Sequence, residues 1–259
     1  MRASVFLVSA LSVVVSAAPT FPKVSSDGSK SVDLISQYFN LLATKVHQSK
    51  TFSAPPICDL SRVSLPAEAA ALPPPSPGLY LKHVAIGRGT QNYTCDLSNS
   101  TAIPVANGAV ATLFNASCVT GTYPDLLQSI TRVALQFDIS ESEAFKKLAP
   151  TNLGVSGIHI FTNPTTPFFD LDVSSQWKLG EIPTAKNASI PAPAGAQKGQ
   201  KGEAAVPWLK LTAKPGATGG LQEVYRVETV GGSPPATCQG QPASFEIQYS
   251  TQYWFYASQ

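Results

Sequence analysis

Residues 245–256 read Phe245-Glu246-Ile247-Gln248-Tyr249-Ser250-Thr251-Gln252-Tyr253-Trp254-Phe255-Tyr256. Phe245, Ile247, Tyr249, Thr251, Tyr253 and Phe255 alternate with Glu246, Gln248, Ser250, Gln252, Trp254 and Tyr256. Successive side chains of a strand point to opposite faces, so this run predicts one long half-buried strand, bent midway. Trp254 and Tyr256 fall on its more polar face and are expected to point outward.

The same signal recurs upstream. Leu79–Ile86, Thr90–Cys95, Ala109–Asn115, Gly157–Thr162, Phe168–Val173, Val206–Ala213 and Gln222–Val230 are shorter strand candidates, with β-branched and aromatic content. Gly87-Arg88-Gly89 reads as a turn between the first two. Residues 183–205, rich in Pro, Ala, Gly and Lys, read as a long exposed loop. Helical spacing is confined to a few places. After Pro124, which suits a first helical turn, Leu126, Leu127, Ile130, Val133, Ala134 and Phe137 share one face. Ser140-Glu141-Ser142-Glu143 has the capping-box pattern of a short helix ending before Pro150. Together these predict a mainly β chain, built as a single β-sandwich or barrel-like domain with a few peripheral helices.

The N-terminus is organised differently. Arg2, the apolar run Val5 to Val15 and the small residues before Pro19 form a secretory signal peptide over residues 1–17. The run is shorter than the ~20 residues a membrane-spanning helix needs, and no later run is longer. The expectation is a secreted, extracellular protein with no membrane attachment once the signal is cleaved. Residues 18–57 form a lead: Val32, Ile35, Phe39, Leu42 and Val46 lie on one helix face. The segment 51–78 carries seven prolines and reads as an extended strap. The β-rich domain is expected over residues 58–259.

A secretory route makes the cysteines and sequons informative. Cys58, Cys95, Cys118 and Cys238 contain no Cys-x-x-Cys, so structural disulfides are expected, with three connectivities open. Asn92, Asn99, Asn115 and Asn187 each begin an Asn-x-Ser/Thr sequon and are expected to carry glycans; Asn163 precedes Pro164 and is excluded. The formal charge is +2 without clusters, which excludes a nucleic-acid footprint. Charged residues are 13% of the chain, against a usual share of roughly 25%.

Several blocks together resemble a known family. Gly87-Arg88-Gly89-Thr90-Gln91-Asn92-Tyr93-Thr94-Cys95, Gly108-Ala109-Val110-Ala111-Thr112-Leu113, Val206-Pro207-Trp208-Leu209-Lys210-Leu211, Tyr225-Arg226-Val227-Glu228-Thr229-Val230-Gly231-Gly232-Ser233-Pro234-Pro235-Ala236-Thr237-Cys238 and the closing Tyr253-Trp254-Phe255-Tyr256 stand in that order. They resemble a fungal secreted family of unknown function with bacterial relatives, whose members are often labelled malate dehydrogenase. The resemblance covers roughly residues 58–256. It implies a compact β-rich domain, and because the bacterial relatives tend to keep cysteines matching Cys95 and Cys238, it implies the pairs Cys95–Cys238 and Cys58–Cys118. The dehydrogenase label fails on the residues. A dinucleotide site needs Gly-x-Gly-x-x-Gly between a strand and a helix, but Gly87-x-Gly89 is followed by Asn92 and a strand-like segment. No cofactor or metal site is expected.

Candidate site residues are few. His159, in Gly157-Ile158-His159-Ile160-Phe161, lies close in sequence to Asp170 and Asp172, and a histidine with a carboxylate could act as a general base or metal ligand. The plainer role for His159 is a hydrogen-bonded strand histidine. His83 is expected to be a buried neutral histidine, although a site shared with His159 and Asp170 is conceivable; His47 is expected to be solvated. Trp208, Tyr253, Trp254 and Tyr256 could form an aromatic platform for sugars, or pack in the core. There is no Gly-x-Ser-x-Gly, His-Glu-x-x-His or Asp-Thr-Gly. The leading expectation is a non-catalytic binding or cell-surface protein meeting a cell-wall polysaccharide or host surface. The alternative is a secreted hydrolase or metal-dependent enzyme using His159 with Asp170 or Asp172.

Overall fold

The structure, a computed structural model, describes residues 58–137, 147–148, 151–173 and 178–259. The signal peptide, the helix expected near 31–47 and the capping box at Ser140–Glu143 lie outside the described residues. The strands are β1 (Tyr80–Thr94), β2 (Val105–Asn115), β3 (Lys147–Leu148), β4 (Leu153–Asn163), β5 (Thr166–Asp170), β6 (Glu181–Ile190), β7 (Trp208–Ala213), β8 (Leu221–Gly231) and β9 (Ser244–Ala257). Helices α1 (Ser117–Thr122) and α2 (Pro124–Ala134) follow β2. Eight strands pair antiparallel in the order β2-β1-β9-β8-β7-β6-β5-β4, and β4 returns to β2, so the sheet closes into a barrel. The two-residue β3 hangs on the start of β4.

Strand register sorts side chains into a lumen and an outer wall. From β1 and β9 the lumen receives His83 beside Phe255, Ala85 beside Tyr253, Gly89 beside Tyr249 and Tyr93 beside Phe245. Leu113, Phe169, Leu171, Ile182, Leu211 and Val224 complete this inner core. The alternate set, including Val84, Ile86, Phe114, Trp254 and Tyr256, points out of the barrel, yet it is buried. Helix α2 lays Leu126, Leu127, Ile130 and Ala134 over it, and the strap before β1 adds Leu72. Trp254 and Tyr256 thus point outward as their alternation predicts but are covered, so the end of β9 is buried on both faces rather than half-buried.

The outer layer is fastened by polar contacts. Tyr225 Oη donates to Pro73 O (2.7 Å) and Lys210 Nζ donates to Pro74 O (2.7 Å). Lys210 also pairs with Glu223 at 3.0 Å, both side chains 5% exposed, while the Ser76 hydroxyl donates to Glu223 (2.6 Å). Arg88 holds the end of α2: Nε donates to Ala134 O (3.2 Å), where helical carbonyls lack partners and attract a cation. Disulfides join Cys58 to Cys118 on α1 and Cys95, just past β1, to Cys238 beyond β8.

Two parts of the structure differ from the local signals. Gly87-Arg88-Gly89 is not a turn but the middle of β1, a continuous strand. A Cβ on Gly87 would sit 2.5 Å from the Tyr253 ring of the neighbouring strand β9, so the glycine is there for a close approach between adjacent strands on the lumen face. The stretch 183–205 is not all loop: β6 occupies its first part, with Pro, Ala and Asn residues that strands normally disfavour. The sheet closure demands a wall strand there, and tertiary pairing with β5 and β7 supplies it.

Gly157 and Gly154 lie on the same strand, and substituting each tests the narrow lumen. A Cβ on Gly157 would meet Asp170 O at 2.5 Å and Leu171 Cδ2 at 2.7 Å, whereas one on Gly154 meets nothing within 4 Å. Gly157→Ala is expected to destabilise by about 1–3 kcal/mol through overpacking, and Gly154→Ala to be neutral or mildly stabilising. Urea unfolding of the two variants beside the wild type measures this.

Candidate functional site

His159 projects from β4 into the lumen. It lies opposite Ala111 of β2 and Phe169 of β5, stacks on the Phe169 ring at 4.2 Å with 10° between planes, and meets the edge of Tyr253. Its Nδ1–H donates to Phe168 O (2.9 Å), which fixes the tautomer. Burial pushes its pKa down to about 4, outweighing that hydrogen bond, with nearby Arg226 acting in the same direction as burial.

The acids named with it are elsewhere. Asp170 lies opposite Ile158, on the other face of the sheet from His159. Its Oδ1 accepts the Asp172 amide (2.8 Å), and Asp172 Oδ1 accepts the Gly180 amide (2.6 Å), so both carboxylates organise the loop between β5 and β6. His83 sits at the other end of the lumen between Ser156 (Nε2 to Oγ, 3.0 Å) and Ser117 (Nδ1 to Oγ, 2.9 Å). Burial pushes its pKa down to about 3, with Lys82 adding a smaller effect. The structure brings neither Asp170, Asp172 nor His83 to His159. The aromatic residues Trp208, Tyr253, Trp254 and Tyr256 are all buried in the cores, with no exposed platform among them.

What the lumen does assemble is a set of donors around Arg226 of β8. Arg226 is paired in register with Tyr253 and Leu209, which turns a charged side chain inward. Its Nη2 donates to Pro207 O (2.9 Å) at the rim, while its Nε–H is buried and has no acceptor. No acidic side chain of the described residues forms an ion pair with it. Tyr249 and Tyr253 share a hydrogen bond of 2.9 Å between their hydroxyls, leaving one phenolic proton to donate elsewhere. Burial raises the pKa of both phenols, partly offset by Arg226, so they stay protonated at neutral pH. Gln91 of β1 is buried beside Tyr249, whose phenol adjoins its side-chain amide, but its Nε2 makes no hydrogen bond of good geometry. The loop closing this end is held by Tyr93 Oη donating to Gly232 O (2.7 Å), and Gly232 is shaped to fit: a Cβ there would meet Tyr249 at 2.8 Å.

Sequence reasoning singled out His159 and passed over Arg226 and Gln91. A charged residue on a strand ordinarily faces solvent, and only the register of the closed sheet shows that Arg226 faces in. Among the described residues no group of three or more His, Cys, Asp or Glu is placed to hold a metal ion. No described helix is long and apolar enough to cross a membrane.

Residues 75–257 match the family described as "Protein of unknown function (DUF3455)". No curated protein and no solved structure matches the chain.

The two buried histidines make stability pH-dependent. Each has a folded-state pKa below the unfolded value of about 6.5. Their contribution is full above pH 6.5, falls as the unfolded chain takes up protons, and levels off below the folded values, about 4 for His159 and about 3 for His83. Each histidine adds a slope approaching about 1.4 kcal/mol per pH unit inside its window. His159→Phe is expected to remove one such slope between pH 6.5 and 4, read from urea midpoints across that range.

Proposed function

The chain belongs to the family of unknown function DUF3455, and we propose that it is a secreted binding protein that holds a small carboxylate in the mouth of its barrel. Arg226 carries this proposal: an inward-facing cation with a buried, unpaired Nε–H and no acidic partner among the described residues. Arg226 is half-buried with its tip at the rim, and its enclosed Nε–H without an acceptor is unfavourable by about 1–3 kcal/mol. A carboxylate offsets that and matches the guanidinium's fork of parallel donors. The neighbouring polar groups fit the same ligand, since Gln91 Nε2 and the free phenolic proton are donors as well.

Secretion is supported by the leader pattern of residues 1–17, by the two disulfides and by the sequons. Asn99 and Asn187 are exposed and Asn92 half-buried on the outside of the barrel domain that follows the 18–57 lead, while half-buried Asn115 ends β2 in register with Ala85. A binding role is favoured over a hydrolase because His159 and Asp170 lie on opposite faces of the sheet and Asp172 is engaged with the Gly180 amide. A free acid and the uronate end of a cell-wall or host-surface polysaccharide present the same carboxylate, and separate titrations distinguish them.

Acetate, benzoate and digalacturonate titrated into the secreted protein are expected to shift the Tyr249, Tyr253 and His159 resonances saturably. Arg226→Met, which keeps the side chain's length, is expected to weaken that binding at least tenfold, or about 1.4 kcal/mol. Saturation by benzoate alone identifies a free acid, and by digalacturonate alone a polymer end. The absence of any saturable shift would mean that water satisfies the site and would refute the proposal.

A further inference from the structure

We infer that a second site, between the barrel wall and the helix-and-strap layer around Glu228, binds the neutral end of an oligosaccharide. It shares with the preceding proposal only the premise that the chain binds extracellular ligands, and it involves none of the same residues.

Glu228 stands out by its backbone. It is the one non-glycine residue among those described with a left-handed conformation, φ 51°. It lies where the pairing of β8 with β9 slips between Val227 and Val230. Such an irregularity re-aims a side chain out of the strand's alternation, and a strained non-glycine residue persists only when its surroundings hold it. Nothing in the fold itself requires glutamate there, because glycine takes this conformation freely. The carboxylate instead faces α2, where Gln128 Nε2 donates to Oε2 (2.9 Å), leaving Oε1 for another donor. Burial raises its pKa, against that hydrogen bond and nearby Arg132.

Two clefts meet at this residue. One has a volume of about 250 Å³ and the other about 300 Å³, and Glu68, Gln128 and Glu228 line both. The second is at the lower limit of ligand pockets and the first just below it, the size for one compact unit rather than a drug-sized molecule. Trp208 lines the first; it is 1% exposed, and its indole N–H has no acceptor in the protein. A buried N–H without a partner is rare and asks for a ligand or water oxygen.

The mixture of groups selects the ligand. Arg132 of α2, in the first cleft, disfavours a cation, and Glu68 with Glu228 disfavours an anion. Hydroxyl groups both donate and accept, so a neutral polyhydroxylated unit satisfies the carboxylates, the guanidinium and the indole N–H together. Two adjoining clefts of similar size accommodate two consecutive sugar units, with Trp254 lining the second. The sugars are held by hydrogen bonds at the edge of Trp208 rather than by stacking, since that indole is enclosed.

The test is calorimetric titration of the secreted protein with cellobiose, chitobiose and mannobiose, and with the matching monosaccharides. At least one disaccharide is expected to bind, at least tenfold tighter than its monosaccharide. Glu228→Gly is expected to lose that binding more than tenfold while raising the melting temperature, because the left-handed strain is relieved. Trp208→Phe, which removes the N–H and keeps a ring, is expected to weaken binding several-fold in a folded protein. The inference falls if no disaccharide binds the wild type, or if both variants bind as the wild type does. Carboxylate binding is read separately at Tyr249 and Tyr253, so either site can fail without the other.

Discussion

The return of β4 to β2, with Ala111 beside His159 and Leu113 beside Gly157, closes the sheet, and everything else in the domain answers to that closure. A closed sheet has no edge to protect and encloses a lumen just wide enough for side chains at eight strands. Each inward position is therefore matched against its neighbours on the adjoining strands. Gly87 yields its space to the Tyr253 ring and Gly157 to Leu171, while His159 fits by lying flat on Phe169. The same matching makes the lumen intolerant of charge, which is why an inward arginine carries so much meaning.

Closure also creates an outside that must be covered. The outward face of β1, β8 and β9 carries a large apolar cluster of its own, and a barrel wall cannot bury it alone. Helices α1 and α2 and the proline-rich strap form a second layer, so the domain has two concentric cores rather than one. Past its one 3-10 turn, Ala67–Ala71, the strap is extended, and it is held where Tyr225 and Lys210 of the barrel donate to Pro73 O and Pro74 O. Lys210 and Glu223 are both buried there, and removing one partner would strand the other's charge. The disulfide from Cys58 ties the start of that strap to α1, closing a long loop of the unfolded chain.

Period-two alternation made β9 legible in the sequence, and helical spacing after Pro124 gave α2 to within a few residues. These are properties of a single segment, so local pattern suffices. β6 was hidden because its residues are poor strand formers that obey their neighbours in the barrel. The glycines at 87 and 89 were misleading for the converse reason: what mimics a turn is a response to distant neighbours, the ring of Tyr253 for Gly87 and the backbone of Val110 and Ala111 for Gly89. The site was less legible still. His159 is conspicuous as a residue type, but its meaning depends on which face it shares, and a one-residue difference in register puts Asp170 on the other side. Arg226 and Glu228, two positions apart on one strand, lie in separate sites because the irregularity at Val227 breaks the alternation between them.

Among the described residues, the buried side-chain polar atoms without a partner are Gln91 Nε2, Arg226 Nε and Trp208 Nε1. A careless core would strand acceptors as readily as donors, but all three are N–H donors. Elsewhere the same molecule satisfies demanding groups fully: His83 has a serine at each ring nitrogen, and Glu223 has both a cation and a hydroxyl. The described fold satisfies those groups and leaves only donors short of well-placed acceptors. Two of the donors converge on the Tyr249–Tyr253 pair in the lumen, and the third lines the cleft where Glu228 bears backbone strain. Local rules are broken at these two places and kept around them, so it is there that the fold departs from what its own stability would select.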